Sequence, residues 1–549
     1  MDCMPSESFY SVLIPPVLMH ELPARAAACW PELIALKAGS ESVSYAVLQQ
    51  AVRKKAVALA SLPVHRGERI ALYLEKSTDA VAVSFAATAA GGVLVPINPV
   101  LKAPQVVHIL RDSGASVLVT SAARLPTLLP LLSHCLSLRH IVISGEQLTS
   151  IRTLKEYNKL CVHSWCDLYG ASAVLPTLLE TDIAVIFYTS GSTGAPKGVV
   201  LTHRNLLAGA TSVACYLHNS TSDTVLAVLP LSFDAGFSQI TTSFLVGARV
   251  VLLSYLLPQD VLEVMLQEEV TALTAVPPLY VQLARLQWPA RAVLKLRYWA
   301  NTGGHLPLAT LARMRQLAPF AQPYLMYGLT EAFRSTYLPP EQIELRPNSI
   351  GRAIPNVQIS VLRQDGTECD VDEPGELVHR GPLVALGYWN RPEETALRFR
   401  RWKKTGEEGA PHFFPAVELA VYSGDTVRRD AEGYLYFVAR SDDMIKSSGY
   451  RISPTEIEDA LYQCPLVAEA LVYAKADEML GSKICAAVFA SPVASGCQNE
   501  DSLAVMACVR EHLPAFMWPK VLHWVQQPFA RNPNGKLDRQ QWMENYGSV

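Results

Sequence analysis

Short apolar runs and longer amphipathic segments follow one another along most of the chain. Runs rich in β-branched residues occupy 69–74, 115–120, 182–188 and 248–253, and segments with helical spacing such as 45–62 lie between such runs. Buried strands that alternate with helices are typical of parallel strands joined by crossover helices. The pattern therefore predicts an α/β fold.

The pattern changes near residue 440. The segment SPTEIEDALYQC predicts a helix with Ser453 as its N-cap, Pro454 at its first position and Glu456 completing a capping box. Three residues share one apolar face of that helix: Ile457, Leu461 and Cys464. The sequence thus indicates a second, smaller unit.

Strand-like runs at 470–474 and 484–490 follow this helix, so the smaller unit is predicted to be α+β. We expect a large α/β domain over 1–440 and a compact domain over 443–549. The stretches 399–412 and 491–502 have the composition of linkers.

Composition narrows the classes of protein. The chain has 549 residues, of which 50% are apolar and 18% charged, which indicates a packed globular protein with more than one domain. A net charge of -3 gives no support for nucleic acid or anionic membrane as a partner. No uninterrupted apolar run approaches the ~18 residues of a membrane-spanning helix.

The cysteines and the N-terminus indicate the cellular compartment of the protein. Eleven scattered cysteines fit free thiols in a reducing compartment. Cys161 and Cys166 are near each other, but neither a second cysteine pair nor a histidine cluster along the chain completes a metal site. Pro15 and Pro16 interrupt the first apolar run and no basic segment precedes it, so we expect no signal peptide and a cytoplasmic protein.

A loop of small and hydroxylated residues follows the strand at 182–188. Its residues are Thr189, Ser190, Gly191, Ser192, Thr193 and Gly194, with Lys197 after them. Glycines let backbone amides surround an anion, hydroxyls donate hydrogen bonds and Lys197 adds a charge, so the loop suits phosphate. A flexible turn is the alternative. The loop matches neither GxxxxGK[ST] nor GxGxxG, which disfavours a P-loop NTPase.

Six segments together resemble a known family. They are TSGSTGAPKG at 189–198, NTGG at 301–304, MYGLTE at 326–331, GELVHRG at 375–381, the long segment 422–458 and NPNGKLDR at 532–539. In this order and spacing they are similar to the motifs of AMP-forming acyl-CoA synthetases, amino-acid adenylation domains and luciferases, the ANL superfamily of adenylate-forming enzymes. The resemblance implies a large N-terminal domain and a smaller C-terminal domain that rotates about a hinge.

The resemblance also implies how MgATP is bound. Besides the phosphate loop, the nucleotide residues are Gly303, Tyr327, Thr330, Glu331, Asp425 and Arg440. In the family pattern Glu331 binds Mg²⁺, Thr330 contacts the α-phosphate and Tyr327 stacks on adenine. Asp425 accepts from the ribose hydroxyls with help from Arg440. Taken alone, Asp425 would be an ordinary turn residue.

The resemblance further implies a catalytic lysine and a hinge between the two domains. Lys536 corresponds to the catalytic lysine that bridges the substrate carboxylate and the phosphate, where a positive charge stabilises developing negative charge. Asp442 holds the hinge position, and the loop 446–449 lies near the incoming thiol. Ala439 stands where a glycine is common.

A solvated lysine is the alternative for Lys536. An inactive relative that only binds would be expected to lack some of Lys197, Glu331, Asp425 and Lys536, and the chain has all four.

The sequence defines the carboxylic-acid substrate less closely than it defines the reaction. By motif offset the acyl pocket contains Asp234, Ser238, Ala275, Thr302, Met326, Arg334 and Ser335. An aspartate and an arginine in one pocket imply a short polar or zwitterionic substrate, since an unpaired buried charge is costly. Alternatively, Asp234 and Arg334 pair with each other and leave an ordinary acyl slot.

Two kinds of ligase remain open. The chain looks most similar to stand-alone acyl-CoA ligases associated with exosortase loci, and also to stand-alone amino-acid ligases that load a carrier protein. CoA and phosphopantetheine present the same thiol, so both remain as acceptors. Because the sequence ends soon after Lys536, we expect the acceptor to come from a separate molecule.

Overall fold

The computed structural model describes most of the chain. The described residues are 15–145, 156–157, 160–170, 172–189, 196–402, 418–440, 445–447, 450–477, 481–494, 497–531 and 537–546. They form a large α/β body followed by a small α+β domain, as the sequence predicts.

The helices within these residues are α1 (Glu21–Cys29), α2 (Tyr45–Ala60), α3 (Thr78–Ala89), α4 (Ala103–Ser113), α5 (Leu125–Leu132), α6 (Trp165–Leu168), α7 (His203–Leu217), α8 (Asp234–Val246), α9 (Pro258–Gln267), α10 (Pro277–Leu283), α11 (Ala290–Val293), α12 (Leu308–Leu317), α13 (Pro392–Arg398), α14 (Pro454–Tyr462), α15 (Gln498–His512) and α16 (Arg539–Tyr546). Short 3₁₀ turns occupy Thr330–Ala332, Pro340–Gln342 and Ala515–Met517.

The strands are β1 (Ile34–Ala38), β2 (Glu41–Ser44), β3 (Arg69–Tyr73), β4 (Val93–Pro96), β5 (Val117–Ser121), β6 (His140–Ser144), β7 (Glu156–Tyr157), β8 (Leu160–Ser164), β9 (Ile183–Thr189), β10 (Lys197–Thr202), β11 (Thr224–Ala227), β12 (Arg249–Leu252), β13 (Ala272–Ala275), β14 (Tyr298–Asn301), β15 (Gln322–Tyr327), β16 (Thr336–Leu338), β17 (Ser349–Ala353), β18 (Gln358–Leu362), β19 (Gly375–Arg380), β20 (Gly387–Tyr388), β21 (Phe399–Arg401), β22 (Leu419–Arg429), β23 (Leu435–Arg440), β24 (Ile445–Ser447), β25 (Tyr450–Ile452), β26 (Val467–Asp477), β27 (Gly481–Ala490) and β28 (Val521–Val525).

The body contains two large sheets. One has the order β20-β10-β9-β4-β3-β5-β6-β8-β7 and is parallel from β9 to β8. The other runs from β2 to β18, and its strands β1, β12, β11, β13, β14 and β15 are parallel. The predicted parallel α/β body is confirmed. The remaining strands of this second sheet, from β16 onward, pair antiparallel, which the hydrophobic pattern did not predict.

Helices α3 and α8 lie in the main core and are buried around almost their whole circumference. A helix that is apolar on all sides needs packing partners on all sides. Phe85 of α3 stacks on Phe237 of α8 with ring centroids 6.1 Å apart, and Phe187 of β9 meets Phe237 at 5.8 Å. Burial of each such ring stabilises the fold by about 1.5–3 kcal/mol.

The small domain packs α14 and α15 on the sheet β26-β27-β28. Ile457, Leu461 and Cys464 are all buried in its core, which confirms the predicted apolar face. The predicted capping box is wrong. Helix α14 begins at Pro454, but the Ser453 hydroxyl donates to the backbone carbonyl of Val438 and makes no cap hydrogen bond. That hydroxyl instead ties the small domain to β23.

The two predicted linkers are wrong in part. Residues 399–401 form β21, which pairs with β22, and residues 498–502 are already the first turns of α15. Glu500 and Asp501 lie in that first turn, where carboxylates interact favourably with the helix dipole. Within the described part of the chain, no helix combines the length and the apolar character needed to cross a membrane.

Gly351 provides a test of the close approach of strands β16 and β17. It has φ +86°, and a Cβ there would lie 1.9 Å from the carbonyl oxygen of Tyr337 on the neighbouring strand β16. Gly366 has φ +84° but nothing within 4 Å of its Cβ position. We expect Gly366→Ala to cost about 1–2 kcal/mol of unfolding free energy. Gly351→Ala should cost about 4 kcal/mol or more, because backbone must move. Denaturant midpoints of the two variants provide the measurement, and equal midpoints would contradict this packing.

Candidate active site

Tyr327, the last residue of β15, contacts Asp425 of β22 through its side chain. The Tyr327 hydroxyl donates to Asp425 Oδ2 at 2.5 Å, and the backbone NH of Asp425 donates to the hydroxyl of Ser423 at 3.1 Å. Asp425 is only 6% exposed. These bonds fix the carboxylate, so it is held ready to accept from a ligand without first being ordered.

Gly424 shapes the backbone beside this carboxylate. Its φ is +69°, and a Cβ at this position would lie 2.0 Å from Nη1 of Arg398. Its NH donates to Glu376 Oε1 at 2.9 Å. The positive φ favours glycine at this position, whereas the Arg398 side chain could move aside for a Cβ.

Glu331 lies in the short 3₁₀ turn Thr330–Ala332, directly after β15. The hydroxyl of Tyr388 donates to Glu331 Oε1 at 2.6 Å, and Nζ of Lys197 lies 5.7 Å from the centroid of the Tyr388 ring. The three side chains come from three separate segments of the chain. A tyrosine thus links the predicted metal-binding carboxylate to the lysine of the phosphate loop.

Burial, followed by the nearby negative charge of Glu331, raises the pKa of Tyr388 above its ordinary value. Tyr388 therefore remains a hydrogen-bond donor to Glu331 at neutral pH. Lys197 stands over the face of the same ring, within the range of a cation–π contact. Tyr388 thus contacts both the Glu331 carboxylate and the Lys197 ammonium, and it keeps these opposite charges apart in fixed positions.

The residue after this turn is strained. Phe333 has φ +57°, which is unusual for a residue with a side chain. Such a backbone costs about 1–3 kcal/mol and persists only where packing holds it. The Phe333 ring is fully buried against Gly209 of α7, where an added Cβ would lie 2.3 Å from the ring. The strain places Glu331 on one side of Phe333 and Arg334 on the other.

A narrow cavity lies between α7, α8 and the strands β11, β14 and β15. Its volume is about 20 Å³, which is room for about one water molecule. Three of the residues predicted for the acyl pocket line this cavity: Ser238, Met326 and Arg334. The other wall residues were not predicted from the sequence, and among them are Asn219, Gln239, Thr242, Thr274 and Tyr298.

Asp234 begins α8 beside this cavity. Its Oδ2 lies 3.9 Å from Nη1 of Arg334, and each side chain is 4% exposed. The contact is a loose charge pair in the interior. Three polar atoms of the cavity wall lack a hydrogen-bond partner among the described residues: Arg334 Nε, Gln239 Oε1 and Thr242 Oγ1. Unsatisfied buried polar atoms of this kind favour a ligand that can hydrogen-bond to them.

Three other predicted pocket residues are buried but are not part of this cavity wall. Ala275 ends β13 and Thr302 follows β14. Ser335 is fully buried, and its hydroxyl lies 3.0 Å from Nδ1 of His379. Burial lowers the pKa of His379 to about 3, so this histidine is neutral.

Gly303 lies in a loop after a strand, whereas Thr189, predicted as the first residue of the phosphate loop, still belongs to a strand and pairs with Lys197. Gly303 follows β14 with φ +79°, and Thr189 is the last residue of β9. The backbone of Arg440 lies opposite Asp425 in the β22–β23 pairing. The predicted residues Ser190, Gly191, Ser192, Thr193, Gly194, Asp442 and Lys536 lie outside the described residues.

A charge pair connects the two domains beside the site. Nε2 of His305, two residues after Gly303, lies 2.9 Å from Asp459 Oδ1 on α14. Arg285 adds a second contact, donating from Nη2 to the carbonyl of Ala468 at 3.3 Å. Burial acts to lower the pKa of His305, but the attraction of Asp459 prevails and raises it.

Sequence reasoning missed Tyr388 and His305. Tyr388 lies in a two-residue strand and belongs to none of the six segments that carry the resemblance. His305 directly follows NTGG, but nothing in the sequence pairs it with Asp459, which is 154 residues away. Packing within the large domain brings Tyr388 to Glu331, and packing between the two domains brings His305 to Asp459.

The chain belongs to the family of AMP-binding enzymes. The family profile described as "AMP-binding enzyme" matches residues 23–389, and "AMP-binding enzyme C-terminal domain" matches residues 456–536. The predicted membership in the adenylate-forming superfamily is thereby confirmed, as is the ligase class of acyl-CoA or carrier-protein type.

Two relatives match over nearly the whole chain. The L-proline–[L-prolyl-carrier protein] ligase of Pseudomonas fluorescens is 30% identical, with 95% of this chain and 98% of the relative covered. The feruloyl-CoA synthase of Amycolatopsis is also 30% identical, with 96% and 98% covered. A linear gramicidin synthase protein of Brevibacillus parabrevis is 30% identical over 93% of this chain, but this chain spans only 6% of its length.

Solved structures share the fold. The anthranilate CoA ligase AuaEII, solved with anthranoyl-AMP, has a TM-score of 0.84 and 24% identity, with 96% of this chain and 98% of that one covered. The o-succinylbenzoate CoA synthetase of Bacillus subtilis, solved with ATP and magnesium, has a TM-score of 0.76 and 26% identity, with 95% and 98% covered. The predicted architecture of a large domain followed by a smaller one is confirmed.

The His305–Asp459 pair predicts a pH-dependent domain contact. A raised pKa in the folded protein means that the pair stabilises the structure fully below the ordinary histidine pKa near 6.5. That stabilisation is lost as the pH rises through the raised value. We expect His305→Gln to lower the melting temperature at pH 6 and to have little effect at pH 9. The exposed His65 provides the control, because His65→Gln should show no such dependence. A pH-independent effect of His305→Gln would contradict the ion pair.

Proposed function

We propose that the protein activates a small polar carboxylic acid with MgATP and transfers the acyl group to a thiol. In the first step a carboxylate oxygen attacks the α-phosphorus of ATP, and pyrophosphate leaves as the acyl-adenylate forms. In the second step a thiol sulfur attacks the acyl carbon, AMP leaves, and the thiol proton passes to solvent.

The observation that carries this proposal is the convergence of two fixed carboxylates. Asp425 is held by Tyr327 and Glu331 by Tyr388, and both tyrosine–carboxylate pairs lie at the end of β15. A carboxylate suited to ribose hydroxyls and a second one suited to a hard cation fit the two ends of MgATP. Lys197, beside Tyr388, supplies positive charge where the phosphates would lie.

The remaining roles follow the family pattern. Thr330 contacts the α-phosphate, Glu331 binds Mg²⁺ and Lys536 stabilises the charge that develops between carboxylate and phosphate. Asp442 is the hinge about which the small domain, beginning at about residue 443, rotates between the two steps. The structures of the relatives solved with ATP, or with ATP and magnesium, support the choice of cofactors.

The cavity beside Asp234 and Arg334 supports a short polar substrate. Its walls carry polar side chains from α8 and β13 as well as Arg334. Arg334 Nε, Gln239 Oε1 and Thr242 Oγ1 all lie in its wall without hydrogen-bond partners among the described residues. A substrate that carries its own donors and acceptors satisfies these atoms, whereas an alkyl chain leaves them unsatisfied.

A second candidate is an amino-acid ligase that loads a carrier protein. The placement of Asp234 favours it, because a buried carboxylate at the start of α8 beside the cavity is suited to an α-ammonium group. The proline ligase of Pseudomonas fluorescens, similar over the whole chain, supports the same candidate. The thiol is then a phosphopantetheine on a separate carrier protein, and in the first candidate it is CoA. A cytoplasmic location suits either acceptor, and the likeness to exosortase-associated ligases stays a prediction.

Lys536→Ala tests the adenylation step. We expect ATP–pyrophosphate exchange to fall by about 10²–10³-fold, the loss seen when one transition-state donor is removed. Transfer from a pre-formed acyl-adenylate to the thiol should be affected far less. Lys520→Ala is the control, because Lys520 is an exposed lysine of the same domain. Exchange by Lys536→Ala at the wild-type rate would contradict the assignment.

Asp234→Asn separates the two substrate classes. For an amino-acid substrate, exchange should fall by about 10-fold or more, because a charged hydrogen bond is worth about 1.5–3 kcal/mol. For plain acids the variant instead leaves the Arg334 charge unpaired in the interior, which costs about 3–5 kcal/mol of stability.

The control is the double variant Asp234→Asn/Arg334→Gln, which removes both charges. If the pair is internal, the second substitution restores the stability that the first one removed. If Asp234 binds an ammonium group, amino-acid exchange stays low in the double variant. Exchange assays with proline, alanine and matched plain acids, together with melting temperatures, distinguish the outcomes.

A further inference from the structure

Two adjacent parallel strands bring two imidazoles and a thiol together on one face of the first sheet. His140 opens β6, and in the β6–β8 pairing it lies opposite Cys161. His163 is two residues beyond Cys161 on β8 and so points to the same side. This cluster was not predicted from the sequence, where Cys161 stands near Cys166 but His140 precedes it by 21 residues.

The ligand atoms of the three side chains are close enough for one metal ion. Nδ1 of His140 lies 3.2 Å from Nε2 of His163, and these two atoms and Cys161 Sγ all lie within 4.8 Å of one another. Zinc binds imidazole nitrogen at about 2.0–2.1 Å with tetrahedral angles, which puts two such nitrogens about 3.3–3.4 Å apart. The observed separation is near that value, and it also suits a hydrogen bond between the two rings.

We propose that His140, Cys161 and His163 form a zinc-binding site, with a water molecule in the fourth position. Imidazole and thiolate are ligands that favour zinc over magnesium, which prefers oxygen. His140 is buried and His163 partly buried, whereas Cys161 is exposed, so an ion can enter from the solvent on the cysteine side. The Cys161 thiol loses its proton to solvent as the metal binds.

This site is separate from the proposed ATP site. In the sheet order, β6 lies four strands from β9, roughly 19 Å at about 4.8 Å per strand. His140 and Cys161 also lie at the amino ends of their strands, whereas the phosphate loop follows the carboxyl end of β9. The zinc ion therefore takes no part in adenylation.

The position of the cluster indicates a structural role. Only the two-residue strand β7 lies beyond β8 in the described sheet, so β8 is close to an edge. A metal ion held by His140 on β6 and by two side chains on β8 fastens this edge to the body of the sheet. Zinc should therefore raise the thermal stability of the N-terminal domain.

Metal titration of the full-length, reduced protein tests the proposal. After treatment with a chelator, Zn²⁺ is titrated against a chromophoric competitor, and Co²⁺ is used as a spectroscopic probe for thiolate ligation. We expect one equivalent of tight Zn²⁺ and a thiolate-to-cobalt charge-transfer band. Cys161→Ser should abolish the band, and His163→Gln should weaken binding by more than about tenfold, the loss caused by removing even an outer-shell partner. An excess of Mg²⁺ should not compete.

Cys166→Ser is the matched control. Cys166 is an exposed free thiol five residues further along, in α6, and its removal should change neither the stoichiometry nor the cobalt band. Equal melting temperatures of the metal-free proteins would show that the variants fold.

Three results would overturn the proposal. They are zinc binding by Cys161→Ser as tight as that of the wild type, loss of the band in Cys166→Ser, and absence of tight zinc binding by the wild type. The last result would leave the two histidines as a hydrogen-bonded pair. ATP–pyrophosphate exchange by Cys161→Ser should equal that of the wild type, so failure of the zinc site and failure of the adenylation proposal can be distinguished.

Discussion

Burial of a central pair of helices is the constraint on which the rest of the structure depends. Helices α3 and α8 are buried on nearly every side, so they are stable only when other elements cover them all round. Phe237 of α8 stacks on Phe85 of α3 and meets Phe187 of β9 edge-on, which holds these helices against the first sheet. The phosphate loop follows β9, and Asp234 begins α8. The same hydrophobic packing that forms the core therefore positions both Thr189, where the proposed phosphate loop starts, and the cavity proposed to bind the acid.

The charges of the site are held by neutral partners wherever the structure describes them. Tyr327 holds Asp425 and Tyr388 holds Glu331. A phenol can fix a carboxylate without neutralising it, so the carboxylate keeps its charge for a cation or a sugar hydroxyl. The cavity proposed to bind the acid is different, because beside it Asp234 faces Arg334 across 3.9 Å in the interior. Such a buried pair contributes little net stability, and in the proposed function it discriminates among polar substrates.

The contact between the domains is polar. His305 and Arg285 of the large domain reach Asp459 and the carbonyl of Ala468 in the small one. Polar contacts of this kind can be exchanged for contacts with water at low cost, unlike a buried apolar interface. The proposed rotation of the small domain between two reaction steps requires an interface of this type. The zinc site, by contrast, lies within one sheet, where the strands do not need to separate.

The sequence by itself determined the parallel strands, the apolar face of α14 and membership in the family. Each of these depends on local periodicity or on short segments that keep their spacing. It also identified Lys197 as a candidate from the composition of its loop, and Asp425 and Glu331 through the family resemblance. Only the tertiary structure decided their partners. Tyr388 reaches Glu331 across 57 residues, His305 meets Asp459 across the domain boundary, and His140 joins Cys161 through strand pairing. The physical reason is that periodicity records which side of an element is buried, whereas a site depends on which elements meet. That is decided by the packing of the whole core.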